Sequence, residues 1–184
     1  MQDVDPAPEA EVAAAPERVR FLMPSPIGTI GMELHDQLVT RVLIEPPKKA
    51  RAGFVPFQEL EDSEFLEELF GRVSEYFAGA RRQFGIEWDL GPSGVSGFNR
   101  RVLKETAKIP YGRTRTYRQI AVAAGRADAY RLVLAALIEN PIPILIPCHR
   151  VVTNKSGIGS FIGGQGRKRW LIGMEREALR NGED

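Results

Sequence analysis

Reactive side chains are scarce in this chain. Its 184 residues hold one cysteine, Cys148, and two histidines, His35 and His149. A single cysteine excludes an internal disulfide and any multi-cysteine metal site, and it suits a reducing compartment. Two histidines beside it are too few soft ligands for a structural zinc site, so no metal is expected, and no pattern in the chain calls for a cofactor. No apolar run approaches the ~20 residues that a membrane-spanning helix requires. The opening residues include Asp3, Asp5, Glu9 and Glu11 and no apolar core, which is not the pattern of a secretory signal. Residues 1–18, rich in Ala, Pro and acid, read as a flexible tail.

The formal net charge of +1 conceals an asymmetry. Residues 1–97 carry 9 Lys and Arg against 17 Asp and Glu, a net of −8. Residues 98–184 carry 16 against 7, a net of +9. A basic half joined to an acidic half points to a polyanionic partner, usually nucleic acid, or else to two lobes that attract each other.

Residues 19–90 read as an α/β (α+β) domain with an antiparallel sheet of three or more strands and a helix. Arg20–Met23, Thr29–Leu34 and Leu38–Ile44 are strand-like and separated by turn residues. A helix follows from about Ser63 to Ala78, with Ser63 as its cap and Phe65, Leu66, Leu69, Phe70, Val73, Tyr76 and Phe77 at helical spacing. Phe84 to Leu90 alternates as a short strand. The glycine-rich residues 91–97 read as a linker. Residues 98–180 then form a mostly helical second domain. Asn99 to Ile109 is one helix, and Thr116 caps a short helix from Tyr117 to Ala124. Gly125 ends it, and a further helix runs from Arg126 or Asp128 to about Glu139. That spacing is the one found in a helix-turn-helix, and residues 98–131 hold nine basic residues against two acids, Glu105 and Asp128. An ordinary helical hairpin has the same pattern.

The hydrophobic run after Asn140-Pro141 ends in Pro147-Cys148-His149-Arg150-Val151-Val152. A thiol beside an imidazole and a guanidinium suits a nucleophile, because neighbouring positive charge lowers a thiol pKa. A lone cysteine is otherwise a small buried hydrophobe. With Asn140-Pro141-Ile142-Pro143-Ile144-Leu145-Ile146 before it, this string resembles the O6-alkylguanine-DNA alkyltransferases. Ile109-Pro110-Tyr111-Gly112, Thr116-Tyr117-Arg118-Gln119-Ile120-Ala121, Phe161-Ile162-Gly163-Gly164, and Lys168-Arg169-Trp170-Leu171 with Glu175 extend the match from Phe98 to about Arg176. The N-terminal half matches more loosely, through Ser25-Pro26-Ile27-Gly28.

The resemblance implies repair of double-stranded DNA carrying O6-alkylguanine, and of O4-alkylthymine, by a single irreversible transfer of the alkyl group to Cys148. It implies that His149 is the base, acting through a water, that Glu175 orients it, and that Tyr117 donates to the leaving guanine. Asn140 would hold the turn before the active-site strand. Arg131 would enter the duplex from the minor groove as the nucleotide flips out. Tyr117, Arg118, Arg126, Asn99 and Asn154 would contact the DNA backbone, and Leu137, Pro143, Val151, Phe161 and Ile162 would line the base pocket. The protein is expected to act as a monomer, with cooperative binding on DNA left open. It would work in the cytoplasm at the nucleoid, or in the nucleus of a eukaryote. Two departures stand out: Leu134 and Tyr130 are bulkier than usual on the second helix, and the tryptophan often found in the helix before Ile109 is missing. Rival readings are a lesion-binding alkyltransferase-like module, against which Cys148 itself argues, a cysteine hydrolase, and a helix-turn-helix regulator with a structural cysteine.

Overall fold

In the computed structural model the described residues are 18–60, 63–153 and 157–182. Four strands form the N-terminal sheet: β1 (Arg18–Met23), β2 (Ile30–His35), β3 (Leu38–Ile44) and β4 (Val55–Pro56), in the order β3-β2-β1-β4. Arg18, assigned to the tail from sequence, is the first residue of β1. The first three strands are antiparallel and β4 adds a parallel edge beside β1. Asp36 and Gln37 join β2 to β3 with φ of 49° and 65°, the left-handed pair that a two-residue hairpin needs to match strand twist.

Helix α1 (Glu64–Phe77) starts where Ser63 accepts a hydrogen bond from the Leu66 amide. Its buried face, Leu66, Leu69, Val73, Tyr76 and Phe77, covers the sheet side that carries Phe21, Met32 and Val39. The stretch Phe84 to Leu90 forms no strand. One isolated bridge joins Val39 to Trp88, because Gly85 is left-handed (φ 59°) and Leu90 is already helical, so extension breaks at both ends.

The C-terminal part contains α2 (Gly97–Ala107), α3 (Tyr117–Ala123), α4 (Tyr130–Ile138) and α5 (Gln165–Asn181). Two short strands, β5 (Arg115–Thr116) and β6 (Val151–Val152), pair in parallel just before α3 and just after the cysteine. Thr116 and Gln119 close a reciprocal cap at the start of α3, and Gly125 (φ 82°) makes the turn to α4. One hydrophobic cluster runs from the N-terminal sheet through α2, α3 and α4 to Leu171 on α5. No helix among the described residues is long and apolar enough to cross a membrane.

Candidate active site

Cys148 does not lie on a strand. It opens a single 3-10 turn, Cys148–Arg150, that feeds β6. The approach from α4 is held by the buried side chain of Asn140, whose Oδ1 accepts from the Ile142 amide and whose Nδ2 donates to the Ile146 carbonyl, both at 3.1 Å. These bonds close a turn in which Ile144 takes φ 78°, a conformation that costs a β-branched residue on the order of 1–3 kcal/mol. The strain is tolerated because Asn140 and the Ile146–Ile142 backbone bond over-determine the turn.

Arg150 does not activate the thiol, contrary to the expectation from the Cys-His-Arg string. Its Nε and Nη2 engage Glu175 at 2.8–3.1 Å and its Nη1 donates to the Ile109 carbonyl. With Cys148 only 2 % exposed, burial pushes the thiol up to about 11, against the opposing pull of the Asn140 side chain and Lys168. The resting thiol is therefore neutral, and reaction requires a base.

His149 and Glu175, far apart in sequence, meet in the core. Nε2 of His149 lies 3.0 Å from Oε1 of Glu175. Oε1 also accepts from the Tyr76 hydroxyl at 2.7 Å, and Oε2 accepts from the Gly112 amide at 2.9 Å. Burial alone would raise the Glu175 carboxyl, but the bonds from His149 and Arg150 override it and hold the group at about 2. Burial lowers the His149 pKa despite Glu175, leaving a neutral ring at neutral pH. The carboxylate is acceptor-only, so the network assigns the imidazole proton to Nε2. Nδ1 is then a buried lone pair, with no hydrogen-bond partner among the described residues.

Lys168, from α5, belongs to the sequence match, and the structure places it at the site. It is fully buried, donates to the carbonyls of Val151 and Ser160, and lies 5.7 Å from the centre of the Tyr117 ring. Burial lowers it to about 8, and nearby Cys148 opposes that shift. The helical spacing Lys168, Leu171, Ile172, Glu175 marks one buried face of α5 and was available from sequence. Tyr76 gave no such signal: its ring sits on the apolar face of α1, and only its buried hydroxyl demands a partner. The hydroxyl of Tyr117 donates to the Ser160 carbonyl at 3.3 Å, and Gly159 passes so close that a Cβ there would meet that hydroxyl at 2.7 Å.

Of the expected pocket residues, Leu137, Pro143, Val151 and Phe161 are buried, and Phe161 meets the His149 ring edge-on at 6.2 Å. Ile162 does not join them: it is exposed and borders a groove with Glu139, Asn140 and Pro141. Arg118, Arg126 and Arg131 are exposed on the helix-turn-helix side and form no salt bridge with a described residue, and Asn99 is half-buried on α2. Arg126 and Arg101 flank the Phe98 ring at 5.4 and 5.6 Å. Asn154 lies outside the described residues. Of the two bulky departures on the second helix, Leu134 is half-buried against the core, and the exposed bulk of α4 is Tyr130 with Leu132 and Ile138.

A family model described as 6-O-methylguanine DNA methyltransferase, DNA binding domain, matches residues 97–177. The methylated-DNA--protein-cysteine methyltransferase of Methanosarcina barkeri is 34 % identical over 86 % of this chain and 98 % of its own length. That of Mycobacterium leprae is 35 % identical over 85 % and 92 %. The crystal structure of Mycobacterium tuberculosis O6-methylguanine methyltransferase superposes with a TM-score of 0.75 at 31 % identity, covering 88 % of this chain and 94 % of that one. Mycobacterium tuberculosis OGT in complex with DNA gives 0.74 at 32 % identity, over 86 % and 93 %. With relatives this similar along nearly their whole length, and with a buried thiol, an imidazole nitrogen unpartnered among the described residues and a buried carboxylate in one core, the chain belongs to the methylated-DNA–protein-cysteine methyltransferase family.

Proposed function

We propose that this protein repairs duplex DNA by direct reversal, taking the alkyl group from guanine O6 onto Sγ of Cys148 once and irreversibly. The observation that carries the reading is the buried Cys148-His149-Glu175 constellation, with Nδ1 of His149 unpartnered among the described residues. The thiol proton passes to Nδ1, directly or through a water, and Glu175 stabilises the imidazolium that forms. Sγ attacks the alkyl carbon; the S–C bond forms as the C–O6 bond breaks, and guanine leaves as a neutral base after taking a proton. Tyr117 supplies that proton, and the Lys168 ammonium above its ring stabilises the phenolate left behind.

The lesion lies inside the helix, so the nucleotide must rotate out of the stack, and Arg131 on α4 fills the gap. Arg118, Arg126, Asn99 and Asn154 grip the backbone without reading sequence. Leu137, Pro143, Val151 and Phe161 enclose the base, with Ile162 at the rim. O4-alkylthymine reacts by the same route, and the protein acts as a monomer wherever the cell keeps its DNA and its thiols reduced.

Intact-mass measurement after mixing with O6-methylguanine duplex tests the reading. One added methyl per molecule, located on Cys148 and never exceeded, is the expected result; Cys148→Ala abolishes it while retaining DNA affinity. Turnover of many equivalents, or methyl on another residue, overturns it.

A further inference from the structure

The first turn of α4 holds an aromatic contact unlike the rest of that helix. Arg131 Nε donates to the Tyr130 hydroxyl at 3.2 Å, and the guanidinium lies 5.8 Å from the centre of the same ring. Consecutive helical residues do not ordinarily face each other, so this contact draws together two side chains that the backbone alone would separate. α4 has no acid in its first turn and no side-chain cap, and the positive end of its dipole repels a guanidinium. A carboxylate would hold the arginine but would also neutralise it and repel phosphate. A phenol holds it and leaves the charge intact. An aromatic ring also holds cations on α2, where the guanidinium groups of Arg101 and Arg126 lie 5.6 and 5.4 Å from the centre of the Phe98 ring. Tyr130 is 46 % exposed, so packing of the core does not account for it.

We propose that Tyr130 is a positioning residue for Arg131, ordering its guanidinium at the groove face before DNA arrives. The inference rests on the reading of Arg131 as the residue that enters the duplex. An unordered arginine must give up its rotamer freedom as the base flips, and a restrained one has already lost much of it.

The test is a set of single-turnover rates on O6-methylguanine duplex and on free O6-benzylguanine, for Tyr130→Ala, Tyr130→Phe, Arg131→Ala and the double alanine variant. Tyr130→Ala is expected to lower the duplex-to-free-base ratio about fivefold, and Tyr130→Phe about twofold because it keeps the ring. In the Arg131→Ala background, Tyr130→Ala is expected to change the ratio no further. If Arg131→Ala lowers the ratio and Tyr130→Ala adds the same loss with or without Arg131, the positioning role is overturned and the flipping role stands. A rise in the ratio for Tyr130→Ala also overturns it, by showing that the ring parks Arg131 away from DNA. If Arg131→Ala leaves the ratio unchanged, the flipping reading itself fails, and the positioning falls with it.

Discussion

Glu175 is the residue on which the site depends most. Four donors from three segments converge on it: Tyr76, Gly112, and the neighbouring His149 and Arg150. Its carboxyl sits at about 2 in the folded protein against an ordinary 4.5, so the unfolded chain binds more protons between those values. The stability this carboxylate contributes is therefore fully present above about pH 4.5 and lost as pH falls toward 2, by on the order of 3 kcal/mol. The lowered His149 pKa contributes a separate loss that begins higher, as pH falls below the ordinary histidine value of 6.5. Denaturant unfolding at a series of pH values checks this: the wild type should lose stability steeply below pH 4.5, and Glu175→Gln, which has no such group, should start lower and fall less. A flat profile for the wild type would contradict the network. The carboxylate could be named from sequence only through the family match, because nothing local ties residue 175 to residue 149. The state of the thiol is not legible from sequence for a physical reason: adjacency says which charges lie near, but not that Arg150 turns to Glu175 and leaves burial to set the Cys148 pKa.

Elements with a strong amphipathic pattern and a cap were legible to within a residue or two, as in α1 behind Ser63 and α3 behind Thr116. Alternation alone misled at Phe84 to Leu90, where the side chains fill gaps around the sheet without a ladder to pair with. On α4 the sequence showed bulk but not its direction. Leu134 turns toward the core and Leu132 toward solvent, 46 % exposed beside Arg131. Leu134→Ala should accordingly lower stability by about 1–2 kcal/mol and leave duplex affinity nearly unchanged. Leu132→Ala should weaken duplex binding about fivefold, through lost apolar contact in the groove, with little change in melting temperature. Parallel melting and duplex titrations decide it, and the reverse pattern would put Leu134, not Leu132, on the groove face.

At the scale of the whole molecule, the N-terminal sheet acts as a frame for both flanks of the site. The Val42 amide of β3 donates to the Pro141 carbonyl at 2.8 Å, on the Asn140 side. On the other side Arg167 donates to the carbonyls of Ile27 and Gly163 and pairs with Glu45 at 3.1 Å. The turn before that pair, Ser25-Pro26-Ile27-Gly28 in the sequence match, needs glycine at its end because Gly28 takes φ 100°, which L side chains rarely adopt. Arg167→Ala should free the Phe161–Gly164 loop and slow transfer from duplex and free base alike, by roughly three- to tenfold, with DNA affinity retained. A loss confined to duplex substrate would make Arg167 a DNA contact instead.

The convergence on Glu175 also sets an order of events during synthesis. Cys148, His149 and Arg150 leave the ribosome before the helix that carries their shared carboxylate, α5 (Gln165–Asn181). Until that helix docks, Arg150 lacks the carboxylate it is buried with, and His149 lacks the acceptor that holds its proton on Nε2. The nascent chain therefore carries an ordinary cysteine, and the nucleophile exists only once α5 is in place.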